Sequence, residues 1–322
     1  MKRILLLLLL QLCALPALCW GFYGHRQINY HAVFLLPPEM LLLYKVHIEW
    51  LSNHSTDPDM RRYAVKEEAP KHFIDIDHYG TYPYSDLPRN WKSAVNKFSE
   101  DSLLAHGIVP WQVERMLFRL TSAFKCKDLM LILKYSAEIG HYIGDAHVPL
   151  HASSNHNGQL TGQKGIHAFW ESRVPELLGP KGYNFLIGKA AYIAAPLTYI
   201  WERVLESAAA ADTVLSVEKS LSLETDDDLK YGFEERNGKL IRQYSAYFTQ
   251  KYDQALQGMA ERRMRLAIFS VASFWYTAWV NAGQPDLRSL ADRKLSESEQ
   301  KSFDTLIINR NDHPMMIGRA EE

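Results

Sequence analysis

The sequence predicts an all-α fold, organised as a single mainly helical domain with long loops, and three observations carry that expectation. Apolar residues recur at helical spacing rather than in alternation through most of the chain. Helix-starting and helix-breaking residues bound those runs, as at Pro37-Pro38, Pro110 and the capping Asp128. No linker-like stretch divides residues 20 to 175, so 322 residues less a leader make one large domain or two small ones.

The first element is a leader. Met1-Lys-Arg is followed by a leucine run and then by Ala17-Leu-Cys19, which gives a basic start, an apolar core and small residues three and one before a cut. Residues 1–19 are therefore expected to be a cleaved secretory signal peptide, leaving Trp20 as the N-terminus of a secreted or periplasmic protein, bacterial in origin. The apolar run is too short for a membrane span, and no other span is expected after cleavage. Losing Lys2 and Arg3 leaves 34 basic residues against 37 acidic, a net charge of −3, so no general field recruits a polyanion. Cys13 and Cys19 leave with the leader and Cys126 stands alone, which excludes an intramolecular disulfide in the processed chain.

Helices follow in order. Gly21 to Asn53 reads as two, His25 to Leu36 and Glu39 to Leu51, broken at Pro37-Pro38. Residues 55 to 90 read as irregular. Trp91 to Leu104 closes near Gly107, Pro110 starts a helix through Phe124, and Asp128 caps one that carries Tyr135, His141 and Asp145. Gly158, Gly162 and Gly165 mark a loop over 153–165 that leaves a cleft open. Tyr183 to Ala211, interrupted by Pro196, and Lys239 to Val280 read as packing helices around an acidic loop at Thr225 to Asp228. Ala267 to Val280 reads as a core helix, bounded too closely by Arg262, Arg263 and Arg265 to be a membrane span. The expected domain covers 20–288, and 289–322 is a polar tail.

Chemistry concentrates between His141 and Glu171. His141-x-x-x-Asp145 and His167-x-x-x-Glu171 each raise an imidazole and a carboxylate from one helix face. One such pair is ordinarily an exposed ion pair or a packed histidine. Two of them bracketing His151, which Pro149 turns to a new direction, point instead to a multinuclear metal site. Nitrogen and oxygen donors without thiolate suit zinc, iron or manganese. His72-Phe-Ile-Asp75-Ile-Asp77 adds a histidine and two acids, one suited to orient a ligand or water and the other to act as acid or base. Tyr79, Tyr82, Tyr84 and Trp91 suit a wall that stacks a base or holds a quaternary ammonium group.

In order, Trp20-Gly-x-x-Gly-His25, His72-x-x-Asp75, His141-x-x-x-Asp145-x5-His151 and His167-x-x-x-Glu171 resemble the superfamily of secreted zinc-dependent phospholipases C and single-strand-specific nucleases. The resemblance implies three zinc ions at the base of a cleft. One is held by an early aspartate, His72, His141 and Asp145; a second by the amine and carbonyl of Trp20, His25 and the bridging Asp145; a third by His151, His167 and Glu171. Asp57 and Asp59 both qualify as the early aspartate. Spacing to His72 favours Asp57, the Asp59-x-x-Arg62 pattern favours the other, and Asp57 is taken. A terminal amine ligates only when neutral, and a free pKa of about 7.7–8.0 lets a metal displace its proton near neutrality.

The implied activity is hydrolysis of a phosphodiester by a metal-bridging hydroxide, with Asp57, Asp75, Asp77 and Asp145 as the acids concerned and no covalent intermediate. Glu171 in place of aspartate, with the acidic net charge, leans toward a phospholipid head group, and a single-stranded nucleic acid is the alternative substrate. A monomer is expected. A ferritin-like carboxylate bundle would need a second Glu-x-x-His beside Glu138-Ile-Gly-His141, and none exists. A non-enzymatic helical protein with structural zinc is the other alternative, although structural sites are usually closed and rich in thiolate.

Overall fold

The computed structural model describes residues 21–299 except 237 and 294, and helices dominate it. The first half runs α1 (Phe22–Ala32), α2 (Pro38–Val46), α3 (Ile48–Asn53), α4 (Asp57–Arg61), α5 (Trp91–Phe98), α6 (Glu100–Ala105), α7 (Val109–Cys126) and α8 (Leu129–Ala146). The second half runs α9 (Ile166–Ala168), α10 (Val174–Gly182), α11 (Pro196–Leu223), α12 (Asp227–Lys230), β1 (Tyr231–Arg236), β2 (Lys239–Tyr244), α13 (Ala246–Ala255), α14 (Met259–Asn281) and α15 (Arg288–Ala291).

The centre of the fold is α8. Apolar on nearly every face, it is buried from Ser136 to Ala146 without interruption, as a helix surrounded by others must be. It packs back along α7 through a two-residue connection in which Lys127 takes a left-handed conformation (φ 51°) and Asp128 accepts from the Leu131 N–H (3.1 Å). The helices α1, α3, α11 and α14 close around it. Polar contacts fix the register inside this apolar shell. Asn29 on α1 donates to the carbonyls of Leu51 and Ala137, both at 3.1 Å, and Trp275 on α14 donates to the Ser136 carbonyl (3.0 Å).

Several boundaries differ from the sequence reading. His47 sits outside helical geometry (φ −105°, ψ 18°) and divides the expected Glu39 to Leu51 helix in two. Residues 55 to 90 are partly helical, with α4 and short 3₁₀ turns at Lys66–His72 and Ile76–Tyr79. Pro196 begins α11 rather than interrupting a helix, since its missing N–H is harmless in a first turn. The residues before it carry no regular structure and are pinned where the Ala190 N–H donates to Leu35 O (2.8 Å) and the Ile193 N–H to Thr277 Oγ1 (2.9 Å).

The largest departure is the hairpin of β1 and β2, which pairs Tyr231 with Tyr244 and Glu234 with Ile241 where helix was expected from Lys239. Tyr231 and Phe233 before the sequence dipeptide Asn237-Gly238, and Leu240 and Tyr244 after it, fall at alternating positions and are the hairpin signal. Its anchor is Tyr244, whose ring stacks on Phe169 at 3.7 Å. No helix among the described residues is long and apolar enough to cross a membrane.

Candidate metal centre

Five pieces of backbone converge on the C-terminal half of α8. His141 and Asp145 rise from it one turn apart. Beyond its end, Pro149 opens a single 3₁₀ turn, Pro149–Ala152, that turns His151 back toward Asp145. Against these lie His25 from α1, Asp59 from α4 and His72 from the end of its own 3₁₀ turn. His167 lies on α9, and the five-residue π-turn Phe169–Arg173 that follows places Glu171 beside it. The neighbourhood of these eight side chains is dry: His25, Asp59, His72, His141, Asp145, His151, His167 and Glu171 are all buried.

Their donor atoms form three groups that can hold metal ions: Asp59, His72 and His141; His25, His141 and Asp145; and His151, His167 and Glu171. Asp145 joins the first two. Its Oδ2 lies 3.0 Å from His72 Nδ1 and 3.2 Å from His141 Nε2, while its Oδ1 lies 3.4 Å from His25 Nε2. Asp59 Oδ1 stands 3.6 Å from His72 Nδ1 and 3.7 Å from His141 Nε2. In the third group Glu171 Oε2 lies 3.3 Å from His151 Nε2 and 3.1 Å from His167 Nε2, with the two nitrogens 3.1 Å apart.

Three features fit these residues to cations. Ligand bonds of about 2.0–2.2 Å in a tetrahedron put donor atoms about 3.4 Å apart, and the separations scatter around that value. Next, both oxygens of Asp59, both oxygens of Glu171 and both ring nitrogens of His25 lack a hydrogen-bond partner, although the residues are buried. Unmade bonds of this kind are expensive in a dry interior, and a cation satisfies them together.

Tautomers supply the third feature. His141 Nδ1 donates to the Ser55 carbonyl (2.8 Å) and His151 Nδ1 to the His72 carbonyl (2.6 Å), so each ring turns a bare Nε2 lone pair toward carboxylates and other rings. Burial and the neighbouring His25 push the His141 pKa down to about 3, which keeps that ring neutral as a ligand must be. Burial raises Asp59 to about 6 despite His72 and His25 nearby, the mark of a carboxylate short of positive charge. Burial opposes ionisation of Asp145 as well, yet the ring of imidazoles around it, His151 among them, holds it well below the usual carboxylate range.

Other expected residues fall elsewhere. In place of the expected Asp57, Asp59 lies in the group with His72 and His141: Asp57, at the first position of α4, instead has its Oδ2 2.9 Å from His54 Nδ1. Both Asp77 oxygens are occupied by the loop after His151, accepting from the Ser154 N–H (3.0 Å) and Ser154 Oγ (2.8 Å). Asp77 is thus a clamp on that loop. Asp75 lies 3.7 Å from His106 Nδ1, outside the three groups. Tyr79 is core rather than wall, packed edge-on to Phe98 at 5.0 Å. Tyr82 is 64% exposed and meets Tyr84 edge-on at 6.0 Å. Trp20 lies outside the described residues. Its neighbour Gly21 sits so close to Ser172, beside Glu171, that a Cβ there would stand 2.5 Å from Ser172 Oγ.

Sequence reading missed the support around His72. Glu68 is buried, lies 3.6 Å from His72 Nε2, and is held by Arg61 (3.2 Å), Lys71 (2.8 Å) and the Tyr142 hydroxyl. Arg61 in turn donates to Glu138 at 2.6 Å, so the Glu138-x-x-His141 pattern serves an ion pair and not a ferritin-like site. The clue was available, since Glu68 precedes His72 by the four residues that mark the other pairs.

Fold and site together define a predominantly helical protein built around a buried, cysteine-free cluster of histidines and carboxylates that can hold metal ions. A scan against protein-family models finds no match to the chain, and a search of curated proteins finds none either.

Proposed function

We propose that this protein is an exported zinc-dependent phosphodiesterase of phospholipase C type, sharing the fold and three-zinc centre of the phospholipase C and nuclease superfamily. The observation that supports it most is the division of Asp145, whose two oxygens face different histidine sets, Oδ1 toward His25 and Oδ2 toward His72 and His141. A carboxylate so divided suits two neighbouring ions, a hydrolytic arrangement more than a structural one. Asp59, His72, His141 and Asp145 would hold one zinc; His25, Asp145 and the amine and carbonyl of Trp20 a second; His151, His167 and Glu171 a third.

Ions held there supply Lewis-acid polarisation of a phosphoryl oxygen and bring the pKa of water toward neutrality. The chain's own contribution is placement. Carbonyls of Ser55 and His72 hold the Nδ1 protons of His141 and His151 and so fix which nitrogen each ring offers. Burial opposes charge on Glu171, but His167 and His151 keep its carboxyl below the ordinary range, ready as an anionic donor. Tyr82 and Tyr84 offer ring faces to a choline-like head group.

A second reading, a single-strand-specific nuclease or 3′-nucleotidase, is favoured by the exposure of Tyr82, which suits base stacking equally well. The deciding experiment assays the zinc-loaded chain beginning at Trp20 on phosphatidylcholine, single-stranded DNA and RNA, with Asp145→Asn in parallel. Chelator-sensitive hydrolysis of the lipid, nearly abolished in Asp145→Asn with loss of two ions, is the expected result. Cleavage of nucleic acid alone would establish the second reading. A fully metal-loaded chain that hydrolyses none of the three would overturn both.

A further inference from the structure

The outward face of α7 departs from what a helix that only has to pack would carry. Its exposed positions set Phe118, 74% accessible to solvent, beside Arg115 and Arg119, with Lys125 two turns further along the same face. Residues 109 to 127 hold four cations, Lys127 being the fourth, against Glu114 as the one acid, whereas the whole chain has a net charge of −1. Lys125 and Lys127 suit the C-terminal end of a helix on their own account. Arg115 and Arg119 do not: they stand one turn apart in mid-helix, a spacing at which like charges repel, and no hydrogen bond or ion pair engages either among the described residues. Neither core packing nor an ion-pair network accounts for this face, and such local conflicts mark surfaces that are used.

We propose that the outward face of α7 docks on an anionic lipid membrane, with Phe118 entering the headgroup region and Arg115, Arg119 and Lys125 meeting lipid phosphates. Charge complementarity selects the occupant: unpaired cations around one large apolar side chain are the chemistry that holds peripheral proteins on anionic bilayers. A second copy of this chain would set the same cations against themselves. A polynucleotide would meet the charge, but the other rings of α7, Trp111 and Phe124, are buried, so no stacking platform accompanies Phe118. The attachment is peripheral, since no helix among the described residues is long and apolar enough to cross a bilayer. At its start α7 is tied to the His72 segment, where the Ile108 and Val109 N–H groups donate to the carbonyls of Pro70 (2.7 Å) and Phe73 (3.1 Å). Phe118 stands about 14 Å further along the helix axis. None of the eight metal-site side chains lies on α7, so the docking surface does not depend on what they hold.

The test is flotation of the chain with vesicles of phosphatidylcholine alone and of phosphatidylcholine mixed equally with phosphatidylglycerol. Binding is expected to be stronger to the mixed vesicles and to be lost at about 1 M salt, where charges are screened beyond about 3 Å. Each cation beside an anionic membrane contributes about fivefold in affinity, so Arg115→Ala combined with Arg119→Ala should weaken binding about 25-fold, and Phe118→Ser about tenfold. Both variants change exposed positions only, so an unchanged Tm checks their folding, and neither should alter zinc content or hydrolysis of a soluble phosphodiester. A wild-type chain that does not float with the mixed vesicles overturns the proposal, as does binding that both variants retain in full. Binding to single-stranded DNA that the double arginine variant loses, with no binding to vesicles, would give the face to nucleic acid and overturn it as well. Flotation needs no catalysis, so an inactive chain that still binds the mixed vesicles through Phe118 and the arginines would support this surface while the hydrolytic reading fails.

Discussion

The imidazole of His25 lies almost flat on that of His141, centroids 3.9 Å apart at 21°, and Gly144 leaves the room for it. A Cβ at Gly144 would stand 3.1 Å from His25 Nδ1. Gly144→Ala should therefore displace His25 by a few tenths of an ångström and weaken the His25, His141 and Asp145 group. The metal-free chain should lose no stability, because alanine gains about 0.5–1 kcal/mol over glycine inside a helix. Gly140→Ala, one turn earlier, should behave oppositely: its Cβ would fall 2.0 Å from Asn29 Oδ1 and expel a side chain that makes two buried hydrogen bonds. A loss of about 2–4 kcal/mol is expected. Denaturant melts and zinc titrations of the two metal-free variants check the contrast.

Asp57 and Asp59 are two residues apart and should differ sharply. Asp59→Asn is expected to empty the Asp59, His72 and His141 group, seen as lost zinc in elemental analysis. Asp57→Asn gives up only the contact with His54 and a favourable charge at a helix start, about 0.3–1 kcal/mol, with full metal content. Equal zinc in both variants would contradict the placement of Asp59.

Chelation should destabilise the folded chain. Asp59 and Glu171 are buried with both carboxylate oxygens short of a hydrogen-bond partner, a cost that bound cations would relieve. Each site saturated at about 100 times its Kd adds about 2.7 kcal/mol, so calorimetry should show a Tm that rises with free zinc and falls with chelator. A Tm indifferent to zinc would show that these groups bind none.

Acid should act through Glu218. Burial alone would raise its pKa, but Gln163, Ser222 and Lys230 reverse that and hold it below the ordinary range. A depressed folded pKa contributes stability that is present above the unfolded value, about 4.3, and is lost as pH falls through the folded one. Glu218→Gln should cost about 3 kcal/mol at pH 7. In thermal melts the gap to wild type should close below pH of about 4.

Helical character and the pairs His141 with Asp145 and His167 with Glu171 were legible in the sequence because both follow from spacing, whereas His25 and His72 were reached through the resemblance to a zinc-enzyme superfamily. Periodicity exposes an apolar helix, and an imidazole four residues from an acid exposes a shared face, as at His141 with Asp145. The choice between Asp57 and Asp59 was not legible. It depends on which way the first turn of α4 points, and that is set by packing on α8. The hairpin was missed because Lys239 to Tyr244 is short and merges into the apolar run of α13, so its alternation carried little weight. Glu68 was missed for another reason: its partner His72 had already been assigned through a different motif.

The ring stack of Phe169 on Tyr244 and the pairing of Arg173 with Glu234 fasten the turn that bears Glu171 to a hairpin some sixty residues further along. A chain synthesised N-terminus first therefore exposes His151, His167 and Glu171 well before the splint that sets them. The geometry of that trio therefore waits on the hairpin, and a chain stalled before the hairpin emerges would carry all three side chains without the support that groups them.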